Sequence, residues 1–198
     1  MAASGLTAAP PVPEPVRPWT VLVGTAFAAG ASFIGVMALV GLYLGERATA
    51  LSDGRGWLPE DADIPLTPAN MAMFTMILSG LTIWWAVTAA RQNNRISSYL
   101  ALGLTVFFGV AVINAALFIV KVSEIPVASV TGLYFYAVIG AFILMAVAGL
   151  LYIGTQTLRS FAGDEGPIHI EGITSAAVFW TATVIAHGVI WVAVYIAK

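Results

Sequence analysis

The sequence predicts an all-α integral membrane protein, a five-transmembrane-helix bundle in a single domain. Three observations predict it. Of 198 residues, 60% are hydrophobic and 9% charged, whereas water-soluble domains carry about 25% charged residues. Five continuous apolar runs are long enough for a helix of about 20 residues to cross the hydrocarbon core, and none contains Asp, Glu, Lys or Arg. The runs are unbroken, unlike the alternating segments of about ten residues that mark membrane barrels, so each must satisfy its backbone internally as a helix.

The elements follow in order. Residues 1–18 form an Ala/Pro-rich tail with Pro10, Pro11, Pro13, Pro15 and Pro18. It lacks the basic start of a signal peptide, so it reads as an extended or disordered tail ending where Trp19 suits the membrane interface. Helices are predicted over about 19–44, 68–90, 99–120, 130–153 and 174–197. The breaks between them are polar. Residues 45–67 hold Asp53-Gly54, Gly56, Pro59, Pro65 and five acids; 91–98 is a short turn; 121–129 holds Glu124 and Pro126; 159–172 holds Gly163, Gly166 and Pro167. There is no internal repeat.

An odd number of helices puts the termini on opposite sides. With the N-terminus inside, Arg17, Arg91, Arg95 and Arg159 lie inside and Arg47, Arg55, Lys121 and Lys198 outside. The positive-inside rule is therefore balanced, and the short Arg91/Arg95 turn tips the reading to a cytoplasmic N-terminus. Small residues allow helices to approach closely in lipid. They recur at Gly24, Ala28 and Ser32 with Ala31 and Gly35 alongside, at Ala137, Gly140, Ala141 and Ala148, and at Ala182, Ala186 and Ala193. Bundle packing explains most such faces, and any face the bundle leaves free reads as a partner interface.

Few residues offer chemistry. The chain has no cysteine and two histidines, His169 and His187, which excludes disulfides and thiolate metal sites and gives too few ligands for haem or copper held by this chain alone. The net charge of -2 and the lack of a basic patch exclude nucleic acid as a partner. His187 lies within a membrane run, where an ionisable group is a functional candidate; it reads first as a neutral, hydrogen-bonded structural residue, then as a proton-handling one. Asn114, also at membrane depth, needs a partner on another helix or a lipid headgroup. Ser32, Ser79 and Thr82 read as bonding their own backbone. The mixed loop from Asp164 to Glu171, with His169, matches no metal motif and reads as solvated. The acidic loop from Asp53 to Asp63, with Trp57-Leu58-Pro59, reads as a solvated rim, or as a face for a basic partner such as a cytochrome c.

The order of soft landmarks resembles subunit III of the haem-copper oxidases in its short five-helix bacterial form. That family opens a helix after a Pro and an Asn, then shows a Ser-Ser-x-Thr stretch; here Pro68-Ala69-Asn70 precedes Ser79-Gly80-Leu81-Thr82 and Ala86. Trp57-Leu58-Pro59 stands where the family has a Trp-Pro-rich loop. Tyr134-Phe135-Tyr136, Gly140 and Gly149-Leu150 keep the register of its fourth helix. The last helix opens Gly172-Ile173-Thr174-Ser175-Ala176-Ala177-Val178-Phe179-Trp180, against Gly-Leu-x-Ala-Ala-Ala-Leu-Tyr-Trp in the family. The resemblance runs over roughly 19–196. The family's buried polar marks are mostly replaced: its first-helix Glu falls near Ser32, its Gln and Glu near Ala116 and Ile119, its fourth-helix His pair on Phe142 and Met145, and its last-helix His and Asp on Thr181 and Val184.

The resemblance implies a non-catalytic subunit in a bacterial plasma membrane, packed on a catalytic haem-copper subunit and holding phospholipid. Haem and copper would then reside in the partner, with no catalytic, cofactor or metal residue in this chain. Asn70, Ser79, Thr82, Asn114, Trp180 and His187 are the candidate lipid or partner contacts. Alternatives are an accessory subunit of a nitric oxide reductase, a small transporter or channel subunit, and a lipid-modifying membrane enzyme built on the Asp164–Glu171 loop.

Overall fold

A computed structural model describes residues 19–59, 62–162 and 167–197. The 1–18 tail lies outside the described residues, as do Asp164 and Glu165. Five helices cross the molecule: α1 (Thr20–Ser52), α2 (Leu66–Arg91), α3 (Arg95–Val122), α4 (Val130–Phe161) and α5 (Pro167–Ile190), the last continuing as a π-helical turn over Trp191–Ile196. All five are long and apolar enough to span a membrane, and no strand occurs among the described residues.

The helices outrun the apolar runs. Helix α1 continues past Leu44 through Glu46 and Arg47 until Asp53-Gly54, where Gly54 takes φ 72°. Helix α3 starts at Arg95 because the Asn94 side chain accepts from the Ser97 N–H at 3.1 Å, satisfying a donor the helix leaves free. Ser129 caps α4 in the same way through the Gly132 N–H at 2.9 Å. Helix α4 runs on to Phe161 rather than 153. Helix α5 begins at Pro167, a residue suited to a first helical position, so His169 and Glu171 belong to the helix and not to a solvated loop.

Helix α5 is the centre of the bundle. Half of its most apolar stretch is buried (50%), against 22% for α1. It packs on α1, α2 and α4; α2 packs along α3, α3 on α4, and α1 on α4. Ala186 and Ala193 of the predicted α5 small face are buried. The α1 face is not used: Gly24, Ala28, Ala31 and Gly35 are exposed, with open space beside both glycines.

The loop between α1 and α2 keeps Asp53, Gly54, Arg55, Gly56 and Asp63 exposed, as its reading as a solvated rim expects, but it is strapped down at Trp57. Trp57 is buried, with its ring edge-on to Tyr43 at 5.2 Å and its Nε1 donating to the Tyr43 hydroxyl at 3.0 Å. Its carbonyl accepts from the Thr131 hydroxyl of α4. Ile64 is fully buried. Trp57 therefore closes one end of the bundle, and its indole is not presented to a partner.

Candidate functional site

Four of the six candidate residues lie on a polar seam that joins α2 to its neighbours. Asn70 Oδ1 accepts from Trp191 Nε1 at 2.9 Å. The Ser79 hydroxyl accepts from Trp180 Nε1 at 3.0 Å and donates to the Met76 carbonyl at 2.6 Å. The Thr82 and Thr105 hydroxyls meet at 2.8 Å. Trp84 Nε1 donates to the Thr181 hydroxyl at 3.0 Å. Interhelical bonds of this kind contribute roughly 0.6 kcal/mol each, rising to about 1.7. The seam fixes helix register while leaving few unpaired donors in the interior.

Trp180 is its hub. The indole is fully buried and meets three other helices, α2, α3 and α4. A Cβ at Gly109 of α3 would lie 2.9 Å from its Cη2, and a Cβ at Gly149 of α4 would lie 2.8 Å from its Cε3. Glycine at both positions opens the slot that the ring fills. Two further close approaches bind α5 to α2, Gly80 facing Val184 and Gly188 facing Met73, where an added Cβ would lie 3.4 Å from each neighbour.

His187 sits elsewhere in the core. It is 1% exposed, and its ring lies against Phe142 with centroids 4.7 Å apart and planes at 36°. Neither ring nitrogen has a hydrogen-bond partner among the described residues, so the expected hydrogen-bonded histidine is instead an aromatic-packed one. Phe142 is the position where the resemblance places a histidine of the family. The imidazole and its aromatic neighbour thus occupy one volume from opposite helices.

Asn114 is exposed on the outer wall of α3, not turned into the bundle. It lies in a groove of about 440 Å³ between α2 and α3, with Pro68, Met71, Phe107, Val110, Ala111, Ala115 and Phe118.

Two features at the opposite end escaped the sequence reading. The Glu171 carboxylate of α5 accepts from the Val21 and Leu22 N–H groups at 2.9 and 3.2 Å. It caps the first turn of α1, where a negative charge is favoured by the helix dipole. His169 is buried and its Nε2 lies 2.8 Å from the Ser160 hydroxyl, whose backbone carbonyl accepts from Tyr99 at 2.8 Å. A cavity of about 40 Å³ adjoins them, lined also by Asn93, Asn94 and Arg95. Spacing gave no signal for either: the Glu171 cap joins segments about 150 residues apart, and the His169–Ser160 contact crosses from the end of α4 to the start of α5 with Tyr99 of α3 alongside.

As metal ligands the described residues offer little. No three His, Cys, Asp or Glu gather among them. His169 and His187 lie 18 positions apart on one helix, roughly 27 Å at 1.5 Å per residue, too far to share an ion.

Comparison with known proteins gives one direction. No family model matches the chain. Over 149 residues it is 28% identical to cytochrome c oxidase subunit 3 of Petromyzon marinus, a stretch covering 72% of this chain and 54% of that protein. The chain spans about half the length of the curated relative it matches. A five-helix membrane bundle whose interior polar groups serve mainly to join helices is thus similar, over most of its length, to a subunit of cytochrome c oxidase.

Proposed function

We propose that this chain is a subunit III-like accessory component of a haem-copper respiratory oxidase. It packs on the catalytic subunit, holds phospholipid, and stabilises the complex during electron transfer to oxygen. The observation that carries the reading is the likeness to cytochrome c oxidase subunit 3 over 149 residues. The side chains are consistent with it. Ser79, Thr82, Asn70 and Trp180 spend their polar atoms on helix joining, and the two histidines are too far apart to form a ligand set. Haem and copper then belong to the partner subunit. The membrane is the bacterial plasma membrane, with the N-terminus on the cytoplasmic side.

Deleting the chain in its host tests this. The haem spectrum of the membranes should persist, while complex yield in detergent or sustained oxygen turnover falls. Unchanged yield together with unchanged turnover would count against the proposal.

A further inference from the structure

We propose that the cavity at the meeting of the α2–α3 turn with the end of α4 and the start of α5 binds a phosphate-type oxyanion, carried by a phospholipid headgroup or by free phosphate. The inference rests on the accessory-subunit reading, in which the chain holds phospholipid, for the lipid source alone. The cavity and its donors carry the site.

One hydroxyl on the cavity wall has no partner. Ser98 lines the cavity and is 5% exposed, yet its hydroxyl makes no hydrogen bond to any described residue. The other eight buried serines and threonines among the described residues each donate to a backbone carbonyl, the usual way for such a group to satisfy itself in a helix. The remaining buried groups on this wall are spent on one another. The Ser160 hydroxyl donates to the Gln156 carbonyl at 3.0 Å and so accepts from His169 Nε2 at 2.8 Å. The Tyr99 hydroxyl donates to the Ser160 carbonyl. A buried polar group left unsatisfied is costly, and the cavity of about 40 Å³ beside Ser98 has room for a polar guest.

The donor set decides the guest. Arg95 lines the same cavity with a guanidinium. Asn94 spends its Oδ1 on the Ser97 N–H, which leaves its NH₂ as a donor. Helix α3 starts here, so the positive end of its dipole lies at the cavity. Among the described residues this end of the bundle carries Arg91, Arg95 and Arg159 against Glu171, and Glu171 is turned onto the first turn of α1. Hydroxyl, amide and guanidinium donors in a positive field select a group with several anionic oxygens, as in a phosphate. The level suits a headgroup. The apolar run of α2 ends at Ala90 and that of α3 opens at Tyr99, and both residues stand on the cavity wall. The cavity therefore lies where apolar sequence gives way to charged sequence, and basic pockets between membrane helices at that level take phosphate head groups.

The test uses the tagged full-length chain, purified from its native membranes in mild detergent with the subunits that accompany it and washed free of loose lipid. It is titrated with dioctanoyl phosphatidylglycerol, with dioctanoylglycerol, which lacks the phosphate, and with inorganic phosphate. Binding is read from the shift in thermal unfolding and, for the two lipids, by native mass spectrometry. Phosphatidylglycerol should bind saturably, and Ser98→Ala and Arg95→Gln should each weaken it by about tenfold. Ser98→Ala should leave the thermal unfolding of the ligand-free protein unchanged, since alanine suits a buried helical position. Arg55→Gln, in the loop at the other end of the bundle, should bind like the unaltered chain. Phosphatidylglycerol binding more tightly than phosphate assigns the oxyanion to a headgroup, and equal affinity assigns it to free phosphate. Dioctanoylglycerol binding as tightly as phosphatidylglycerol, no saturable binding of either phosphate probe, or undiminished binding by Ser98→Ala would overturn the proposal. If the oxyanion binds on these terms to a chain without haem, the site stands and the oxidase reading falls. If haem co-purifies but neither phosphate probe binds, the oxidase reading stands and the site falls.

Discussion

Trp180 concentrates the interior energetics in one side chain. Its ring fills a slot made by Gly109 and Gly149, and its N–H ends on Ser79. Trp180→Ala should cost about 3–5 kcal/mol, the usual range for emptying a large aromatic site, read as thermal unfolding in detergent. Gly149→Val places carbon against a rigid ring and should cost about 1–3 kcal/mol through overpacking. A double-mutant cycle of Ser79→Ala with Trp180→Phe should return a coupling of about 0.6–1.7 kcal/mol; zero coupling would mean the hydrogen bond contributes nothing. His187 predicts the reverse sign. Its imidazole is buried without hydrogen bonds among the described residues, so His187→Phe removes a desolvated polar group beside Phe142. Stability should hold or rise by up to about 2 kcal/mol, and a haem spectrum of the purified complex should not change. A large loss of stability would show that the imidazole has a partner, such as a buried water.

At the scale of elements, the five membrane crossings were legible because hydropathy reports burial in lipid directly. Their ends were not, because helices continue beyond the membrane wherever local capping allows, as at Asn94 and Pro167. The seam was half legible: Asn70, Ser79, Thr82 and Trp180 stood out as polar or aromatic marks, but their partners lie up to 121 residues away. The direction of Asn114 was not legible for a physical reason. In a membrane bundle the core-facing and lipid-facing walls are both apolar, so periodicity does not tell them apart. Trp57 was misplaced on composition, since its loop is acidic overall while the indole itself is buried against Tyr43. The Glu171 cap is an element-scale device, tying the start of α1 to α5. Glu171→Gln should cost about 0.3–1 kcal/mol and raise hydrogen exchange at the Val21 and Leu22 amides. Unaltered exchange there would show that the carboxylate does not hold the turn.

At the scale of the whole molecule, α5 is wrapped by the other helices while α1 and the α2–α3 groove face outward. Most of its interior polar side chains are spent on joining helices or on their own backbone, with the buried His187 imidazole as an exception. That arrangement suits a subunit whose contribution is packing area on a larger partner. The most direct test is to purify the tagged full-length chain from its native membranes in mild detergent and record a reduced-minus-oxidised spectrum. The account predicts haem bands, together with a many-helix catalytic subunit in stoichiometric amount. A colourless chain, recovered pure and alone under conditions that preserve respiratory complexes, would contradict it.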